Sequence, residues 1–201
     1  FDVAFAEEML AGMISDLRAS GHRLVGPENL LLDAGATHAA ITDIKAAAPD
    51  RIVILQVTFT DAALTCLIAD TFEQPLSIWA VPEPRLGGRL RLNAFCGLNL
   101  ASHALGLRGR LFSWRYAAPH TPGIEDLFAE KPMVEPLVAT FPEAAPGPGA
   151  ALLDGLRGKT IARIGAHPDG FDTCAYDGDR LSDLTGMTVT GLELRDLFDR
   201  A

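Results

Sequence analysis

The sequence predicts an α/β fold: a doubly wound, mainly parallel sheet of the flavodoxin or Rossmann type, followed by the beginning of a second α/β domain. Two observations support this prediction. Short β-branched or apolar runs alternate with helix-like segments, which is typical of right-handed βαβ crossovers. One segment, RIVILQVTF at 51–59, contains a continuous β-branched run of the type buried on both faces of a parallel sheet.

The first part of the chain gives eight elements in order. Residues 3–18 place apolar side chains on one helical face, and Gly21 follows as a stop signal. The remaining elements are a short strand HRLVG (22–26), a helix at 37–50, a strand at 51–59, a helix at 61–72, a strand at 76–82, a helix at 93–107 and a strand at 111–117. We expect residues 51–57, 76–81 and 111–116 to share one mainly parallel sheet.

The prolines divide the chain into three regions. We predict an amino-terminal α/β domain at 1–118, a proline-rich linker with a helix at 119–158, and the start of a second α/β domain at 159–201. The last region gives a strand at 159–167, a loop at 168–177, a helix at 178–186, a strand at 187–194 and a helix at 195–201. Because two strands rarely form an independent sheet, we expect this region to join the first sheet or to continue beyond Ala201.

The amino end lacks the strand that normally opens such a domain. In a flavodoxin-like order that strand lies between the second and third, so HRLVG and RIVILQV would be left roughly 10 Å apart. We therefore expect a segment outside residues 1–60, or residues preceding Phe1, to fill the gap.

Composition and charge exclude several classes of protein. The chain is 48% hydrophobic and 21% charged, which suits a globular protein with a core, and its net charge of −9 opposes binding to nucleic acid or an anionic membrane. No stretch approaches the roughly 20 apolar residues that span a bilayer, and no secretory signal is recognisable. Its three cysteines are widely spaced, which favours reduced thiols. We expect a cytoplasmic protein without nucleic-acid or membrane partners.

Three polar loops follow predicted strands, where ligands bind in parallel α/β sheets: TFTD, PEPRLGGRLRLN and AHPDGFDTC. In the second, Trp79 offers an apolar wall and Glu83 an acceptor, while Arg85, Arg89 and Arg91 offer donors beside two glycines. We predict a substrate site for a polyhydroxyl or anionic molecule, with Trp79, Glu83, Arg85 and Arg89 as its residues. Alternatively, the arginines pair with acidic residues and Trp79 belongs to the core.

Motifs for common chemistries are absent. The sequence contains no GxGxxG after a strand, no GxxxxGK[ST], no HExxH and no GxSxG. A metal site built from His167, Asp169, Asp172 and Cys174 is an alternative, but Pro168, Gly170 and Phe171 between them are typical of a turn. We predict no catalytic residue and no metal ligand in this chain.

Two long stretches nevertheless resemble a known family. Residues 58–106, TFTDAALTCLIADTFEQPLSIWAVPEPRLGGRLRLNAFCGLNLASHALG, and residues 160–201, TIARIGAHPDGFDTCAYDGDRLSDLTGMTVTGLELRDLFDRA, resemble the amino-terminal and early central regions of L-fucose and L-arabinose isomerase-like proteins. The resemblance implies aldose to ketose conversion with a divalent cation, usually manganese, whose ligands match positions beyond Ala201. It also implies that Trp79 faces the sugar of a neighbouring subunit in a homo-oligomer.

The resemblance therefore implies a non-catalytic part of a sugar isomerase-like protein that contributes to substrate enclosure and subunit assembly. We expect part of the Trp79 ring to be accessible in a lone subunit, and we expect residues 1–201 alone neither to bind manganese tightly nor to isomerise an aldose. Two other functions stay open. One is a stand-alone sugar- or anion-binding module, and the other is an assembly domain with the apolar helix 93–107 in a subunit interface.

Overall fold

The computed structural model describes residues 2–84, 87–129 and 147–199. The chain divides into two compact units, Phe1–Met133 and Val134–Ala201. The described elements of the first unit are helices α1 (Val3–Ala19), α2 (Ala34–Ala47), α3 (Ala63–Thr71) and α4 (Ala94–Leu107), strands β1 (Ile52–Gln56), β2 (Leu76–Ala80) and β3 (Phe112–Tyr116), and a 3₁₀ helix, Ile124–Leu127.

The first unit is built on a parallel sheet in the order β1-β2-β3. Ile52 pairs with Leu76, and Leu76 pairs with Phe112, so the three strands start at the same level. All five residues of β2 are buried, as expected for the central strand of a covered parallel sheet. The predicted parallel sheet is therefore confirmed, and the fold is α/β.

The two faces of this sheet are covered by different segments. The Phe95 ring of α4 contacts the Tyr116 ring of β3, which places α4 on the face of Tyr116. The hydroxyls of Ser77 and Ser113 donate to the carbonyls of Leu127 and Ala129, so the 3₁₀ helix lies on the opposite face. Because side chains alternate along a strand, every second residue of β3 lies on the same face as Tyr116, and the residues between them lie on the same face as Ser113.

Polar side chains fix where the first two helices begin. Asp2 accepts a hydrogen bond from the Phe5 N–H at 3.1 Å, and Asp33 accepts one from the Ala36 N–H at 2.8 Å. Each carboxylate satisfies a backbone donor that has no partner inside its own helix. The buried side of α1 then joins the core through Ala6, Leu10, Met13, Ile14 and Leu17.

The predicted strand HRLVG is wrong. Residues 22–25 have no strand pairing, and they lie between Gly21 and Gly26, whose φ angles are +86° and +117°. The His22 ring stacks on Phe128 with centroids 4.0 Å apart, and Leu24 packs against the core. The predicted gap between HRLVG and β1 therefore has no structural basis. In the described residues, β1 pairs with β2 alone.

The second unit contains a separate parallel pair of strands, β4 (Thr160–Ile164) and β5 (Thr188–Leu192), with Thr160 opposite Thr188. Its helices are α5 (Pro148–Leu156), α6 (Gly178–Thr185) and α7 (Leu194–Phe198), with a 3₁₀ turn at Asp172–Cys174. Among the side chains described between 147 and 199, none is fully buried. These strands form no ladder with β1, β2 or β3, so they do not join the first sheet as further strands, and the alternative of a domain that continues beyond Ala201 stays a prediction.

Across the described ranges, no helix combines the length and apolar character needed to cross a bilayer. Cys66 is buried, whereas Cys96 and Cys174 are exposed, and none of the three forms a disulfide within the part of the chain that the structure describes. Residues 130–146 of the predicted linker lie outside the described residues.

Candidate functional site

The candidate site lies at the carboxyl end of the first sheet, on the loop 81–93 that connects β2 to α4. The Phe59 N–H, in the loop after β1, donates to the Leu92 carbonyl at 2.8 Å. The loops after β1 and β2 are thus brought together as the sequence predicted. The third predicted loop, 166–174, belongs to the second unit.

The carboxylate of Glu83 binds the other end of its own loop. It accepts hydrogen bonds from the backbone N–H groups of Arg91, Leu92 and Asn93, at 3.2 Å for Leu92 and 2.9 Å for Asn93. Burial raises the pKa of Glu83, but these three hydrogen bonds outweigh it and hold the pKa below its usual value. Glu83 therefore closes the base of the loop.

The base of the loop is also fastened to α1. Arg91 donates from Nε and from a terminal nitrogen to Asp2 Oδ2, at 3.0 and 2.7 Å, and its guanidinium carbon lies 4.0 Å from the centre of the Phe5 ring. The Asp2 N–H donates to the Arg91 carbonyl at 3.1 Å. Hydrogen bonds from Arg91 and Phe5 lower the pKa of Asp2. The sequence did not reveal this pair, because no local pattern links residues 89 positions apart.

Trp79 occupies the core, and the prediction of a partly accessible ring is wrong. Its side chain is fully buried, and its indole N–H donates to the Ala117 carbonyl at 2.8 Å. The segment after β3 covers it, since the buried guanidinium of Arg115 donates to the carbonyls of residues 121–123. The alternative in which Trp79 belongs to the core agrees with the structure.

Arg89 lies on the exposed part of the loop, between the two ends that Glu83 and Arg91 fix. Gly87 and Gly88 both have φ of +79°, a backbone conformation that favours glycine, and residues 87–90 are all exposed. Arg85 lies outside the described residues. Of the two described arginines of the loop, Arg91 has a protein partner in Asp2, whereas Arg89 presents its positive charge to solvent.

Sequence reasoning also missed a contact between β1 and α4. Gln56, buried at the end of β1, donates from Nε2 to the Thr60 hydroxyl at 3.0 Å and to the Thr58 carbonyl at 2.6 Å. A Cβ at Gly97 would lie 2.6 Å from Gln56 Nε2, so α4 approaches this amide as closely as glycine allows. A glycine inside an apolar helix pattern was the available signal of close packing.

The described residues do not fit the divalent cation that the resemblance implies. Within 2–84, 87–129 and 147–199, no group of three or more His, Cys, Asp or Glu side chains is arranged to hold a metal ion. Two histidines of the first unit have other partners: His22 stacks on Phe128, and His120 Nδ1 lies 2.7 Å from Asp16 Oδ1.

Comparisons with known proteins agree with the resemblance seen in the sequence. Residues 1–131 match the family model described as fucose/sulfoquinovose isomerase, N-terminal domain. The similar curated proteins include the sulfoquinovose isomerases of Alkalicoccus urumqiensis (29% identity, over 87% of this chain and 36% of the relative), Priestia aryabhattai (25%, 98% and 41%) and Clostridium sp. strain MSTE9 (27%, 89% and 36%). The chain thus spans about two fifths, or less, of the length of these relatives.

Proposed function

Because the chain belongs to the fucose/sulfoquinovose isomerase family, we propose that it is the non-catalytic amino-terminal part of an aldose–ketose isomerase and helps to enclose the sugar. The observation that carries this proposal is the match of residues 1–131, which spans nearly all of the first unit, Phe1–Met133. In this proposal the fold is doubly wound, the protein is cytoplasmic and homo-oligomeric, and manganese or another divalent cation binds to parts of the whole protein outside this chain.

The geometry of loop 81–93 supports a role in enclosure. Its base is closed by Glu83 and fastened to α1 by Arg91, whereas residues 87–90 project into solvent. A loop that is fixed at both ends presents its tip at a defined position, so little order has to be gained when a ligand binds. The tip is the part of the loop that we assign to the substrate.

Arg89 suits a sugar that carries an anionic group. The similar proteins are named for sulfoquinovose, a hexose with a sulfonate, and a guanidinium binds such an oxyanion by charge-assisted hydrogen bonds. We assign Arg89 to the sulfonate, and we propose Arg85 as a second substrate residue. Glu83 and Trp79 act from behind this surface, since Glu83 holds the loop and Trp79 supports the sheet beneath it.

The proposal is tested on the 201-residue chain by amide chemical-shift titration with sulfoquinovose and, as a matched uncharged sugar, glucose. We expect shifts at residues 87–93 with sulfoquinovose and much smaller shifts with glucose. Equal shifts with both sugars, or shifts confined to other residues, would contradict the role of the loop.

A second measurement separates enclosure from catalysis. Calorimetry with manganese, followed by a ketose assay on the same sugars, should show neither tight metal binding nor turnover by this chain. Micromolar metal binding with turnover would show that the catalytic groups lie inside residues 1–201. Micromolar sugar binding without turnover would instead favour a stand-alone binding module.

A further inference from the structure

Arg91 lies where the exposed tip of loop 81–93 returns to the protein. Residues 87–90 are exposed, whereas Leu92 is fully buried, so Arg91 is the last residue before the chain enters the core. The two glycines of the tip lack the side chains that would restrict their backbone. The tip therefore keeps one direction only if Arg91 is held firmly at its end.

The backbone of Arg91 is held on both sides, by two different parts of the chain. Its N–H donates to the Glu83 carboxylate inside the loop. Its carbonyl accepts a hydrogen bond at 3.1 Å from the N–H of Asp2, the residue at which α1 is capped. These two bonds fix the peptide groups before and after the Cα atom of Arg91.

The side chain of Arg91 is held as well, and Asp2 again provides the contact. Nε and a terminal nitrogen of Arg91 donate to Asp2 Oδ2 at 3.0 and 2.7 Å. The other carboxylate oxygen of Asp2 accepts the Phe5 N–H at 3.1 Å, so one side chain joins the first turn of α1 to the loop. Asp2 thus contacts Arg91 through both its backbone and its carboxylate.

The same contact decides which described arginine of the loop is available to an anion. The carboxylate of Asp2 offsets the charge of Arg91, and the Phe5 ring lies 4.0 Å from the guanidinium carbon and covers one face of it. Arg89 is exposed in the tip, two residues before Arg91. A sulfonate is therefore directed to Arg89, whose own position depends on how Arg91 is held.

We propose that Asp2 is a positioning residue: acting through Arg91, it holds the tip of loop 81–93 so that Arg89 meets the anionic group of the sugar. This role rests on the proposed function and gives a part in it to a residue outside the loop. The Arg91 and Asp2 side chains are 40% and 38% exposed, and ion pairs this exposed contribute little to stability. Breaking the pair should therefore affect sugar binding more than unfolding.

Asp2→Asn breaks this pair and leaves the start of α1 intact. Asparagine caps a helix about as well as aspartate, so its carbonyl oxygen can still accept the Phe5 N–H. Its remaining polar group is an amide that only donates, and the guanidinium of Arg91 also only donates. The variant therefore keeps the cap and loses the side-chain contact with the loop.

The dissociation constant for sulfoquinovose, from amide chemical-shift titration of the 201-residue chain, separates positioning from a simple effect of charge. If Asp2 acted only through its charge, Asp2→Asn would make the chain less negative and would tighten binding of the sulfonate. Positioning predicts the opposite sign, a dissociation constant raised by about tenfold. Asp16→Asn is the matched control, because it removes another carboxylate of α1, one that pairs with His120, and it should not weaken binding. Unchanged or tighter binding by Asp2→Asn would overturn the proposal.

Arg91→Lys tests the link between Asp2 and the tip without changing the charge of the chain. Lysine keeps the positive charge but lacks the planar fork that donates from two nitrogens to Asp2, so binding should weaken to a similar extent. Because both substitutions break one contact, the double variant should bind no more weakly than either single variant. Additive losses would show that Asp2 does not act through Arg91.

A measurement without sugar separates failure of this inference from failure of the proposed function. Relaxation of the amide nitrogens should give lower order parameters at 87–90 in Asp2→Asn than in the wild type or in Asp16→Asn. If the wild type does not respond to sulfoquinovose but Asp2→Asn lowers these order parameters, the assignment of the sugar fails and the role of Asp2 in holding the tip stands. Equal order parameters in all three proteins would overturn that role, whether or not the sugar binds.

Discussion

The guanidinium of Arg115 lies against the indole ring of Trp79, with its carbon 5.6 Å from the ring centroid. The two residues are register partners on β3 and β2, and both side chains are buried. Trp79 donates to the Ala117 carbonyl, while Arg115 donates to the carbonyls of Thr121, Pro122 and Gly123. Together they hold the segment after β3 against the end of the sheet.

This arrangement predicts a structural effect of removing the indole. Trp79→Ala should lower the free energy of unfolding of the first unit by roughly 3–5 kcal/mol, because it leaves a large cavity and an unpaired carbonyl. Trp79→Phe keeps most of the volume and should cost less. Urea denaturation monitored by circular dichroism gives both values. A loss below about 1 kcal/mol for Trp79→Ala, with weaker sugar binding, would restore Trp79 as a substrate residue.

The close approach of α4 to β1 predicts opposite effects at two glycines of one helix. Gly97→Ala should destabilise by about 1–3 kcal/mol, since its Cβ would meet Gln56 Nε2 at 2.6 Å and the Thr60 backbone nitrogen at 3.1 Å. Gly106→Ala has no atom within 4 Å of its Cβ and should stabilise by up to about 1 kcal/mol through helix propensity. Thermal unfolding of both variants, measured side by side, provides the comparison. Equal stabilisation would show that Gln56 moves aside without cost.

The carboxylate of Glu83 predicts a dependence of stability on pH. Its pKa in the folded chain lies below the usual value of 4.5, so its contribution is fully present above that pH and is lost as the pH falls through the lowered pKa. Glu83→Gln should therefore cost about 1–2 kcal/mol at pH 7, and the difference from wild type should shrink in acid. Unfolding at a series of pH values measures this difference.

Glu73→Gln, at an exposed glutamate, is the matched control and should show little effect at any pH. If the cost of Glu83→Gln stays constant down to the acid limit of the folded state, the ionised carboxylate is not what closes the loop.

The exposed position of Arg89 predicts that removing its side chain weakens the response of the chain to sulfoquinovose without lowering its stability. Arg89→Ala removes an exposed side chain, so the free energy of unfolding should change by less than about 0.5 kcal/mol. The changes in amide chemical shift that sulfoquinovose induces at 87–93 should become much smaller, while any changes that glucose induces should keep their size. Arg23→Ala makes the same charge change at another exposed arginine and should retain the sulfoquinovose response. Equal losses in the two variants would point to the overall charge of the chain.

Strands β1, β2 and β3 were predictable because each is a short apolar run between helical patterns, and such runs need cover on both faces. HRLVG resembles these runs in composition but forms no strand: Leu24 packs against the core, Val25 is exposed, and no described strand pairs with the segment. A sequence pattern describes one strand at a time. It does not reveal whether a partner lies beside it.

The candidate site was predictable in position but not in the role of each side chain. The order of strands and helices places Glu83 and Arg89 at the carboxyl end of β2, where the structure has them. Whether Glu83 faces a ligand or the N–H groups of residues 91–93 depends on how the loop folds back. The burial of Trp79 similarly depends on Arg115, which draws the segment 117–123 over the ring through contacts that no local pattern encodes.

The bond between Asp2 and Arg91 also has a consequence for the order of folding. The β1, β2 and β3 ladders join neighbouring strands along the chain, whereas Asp2 and Arg91 are 89 residues apart and close a far longer loop. Ordering that loop costs entropy before the ion pair returns any stability. We therefore expect the sheet to form first and the amino-terminal end of α1 to dock last, so that the base of loop 81–93 is completed in the final step of folding.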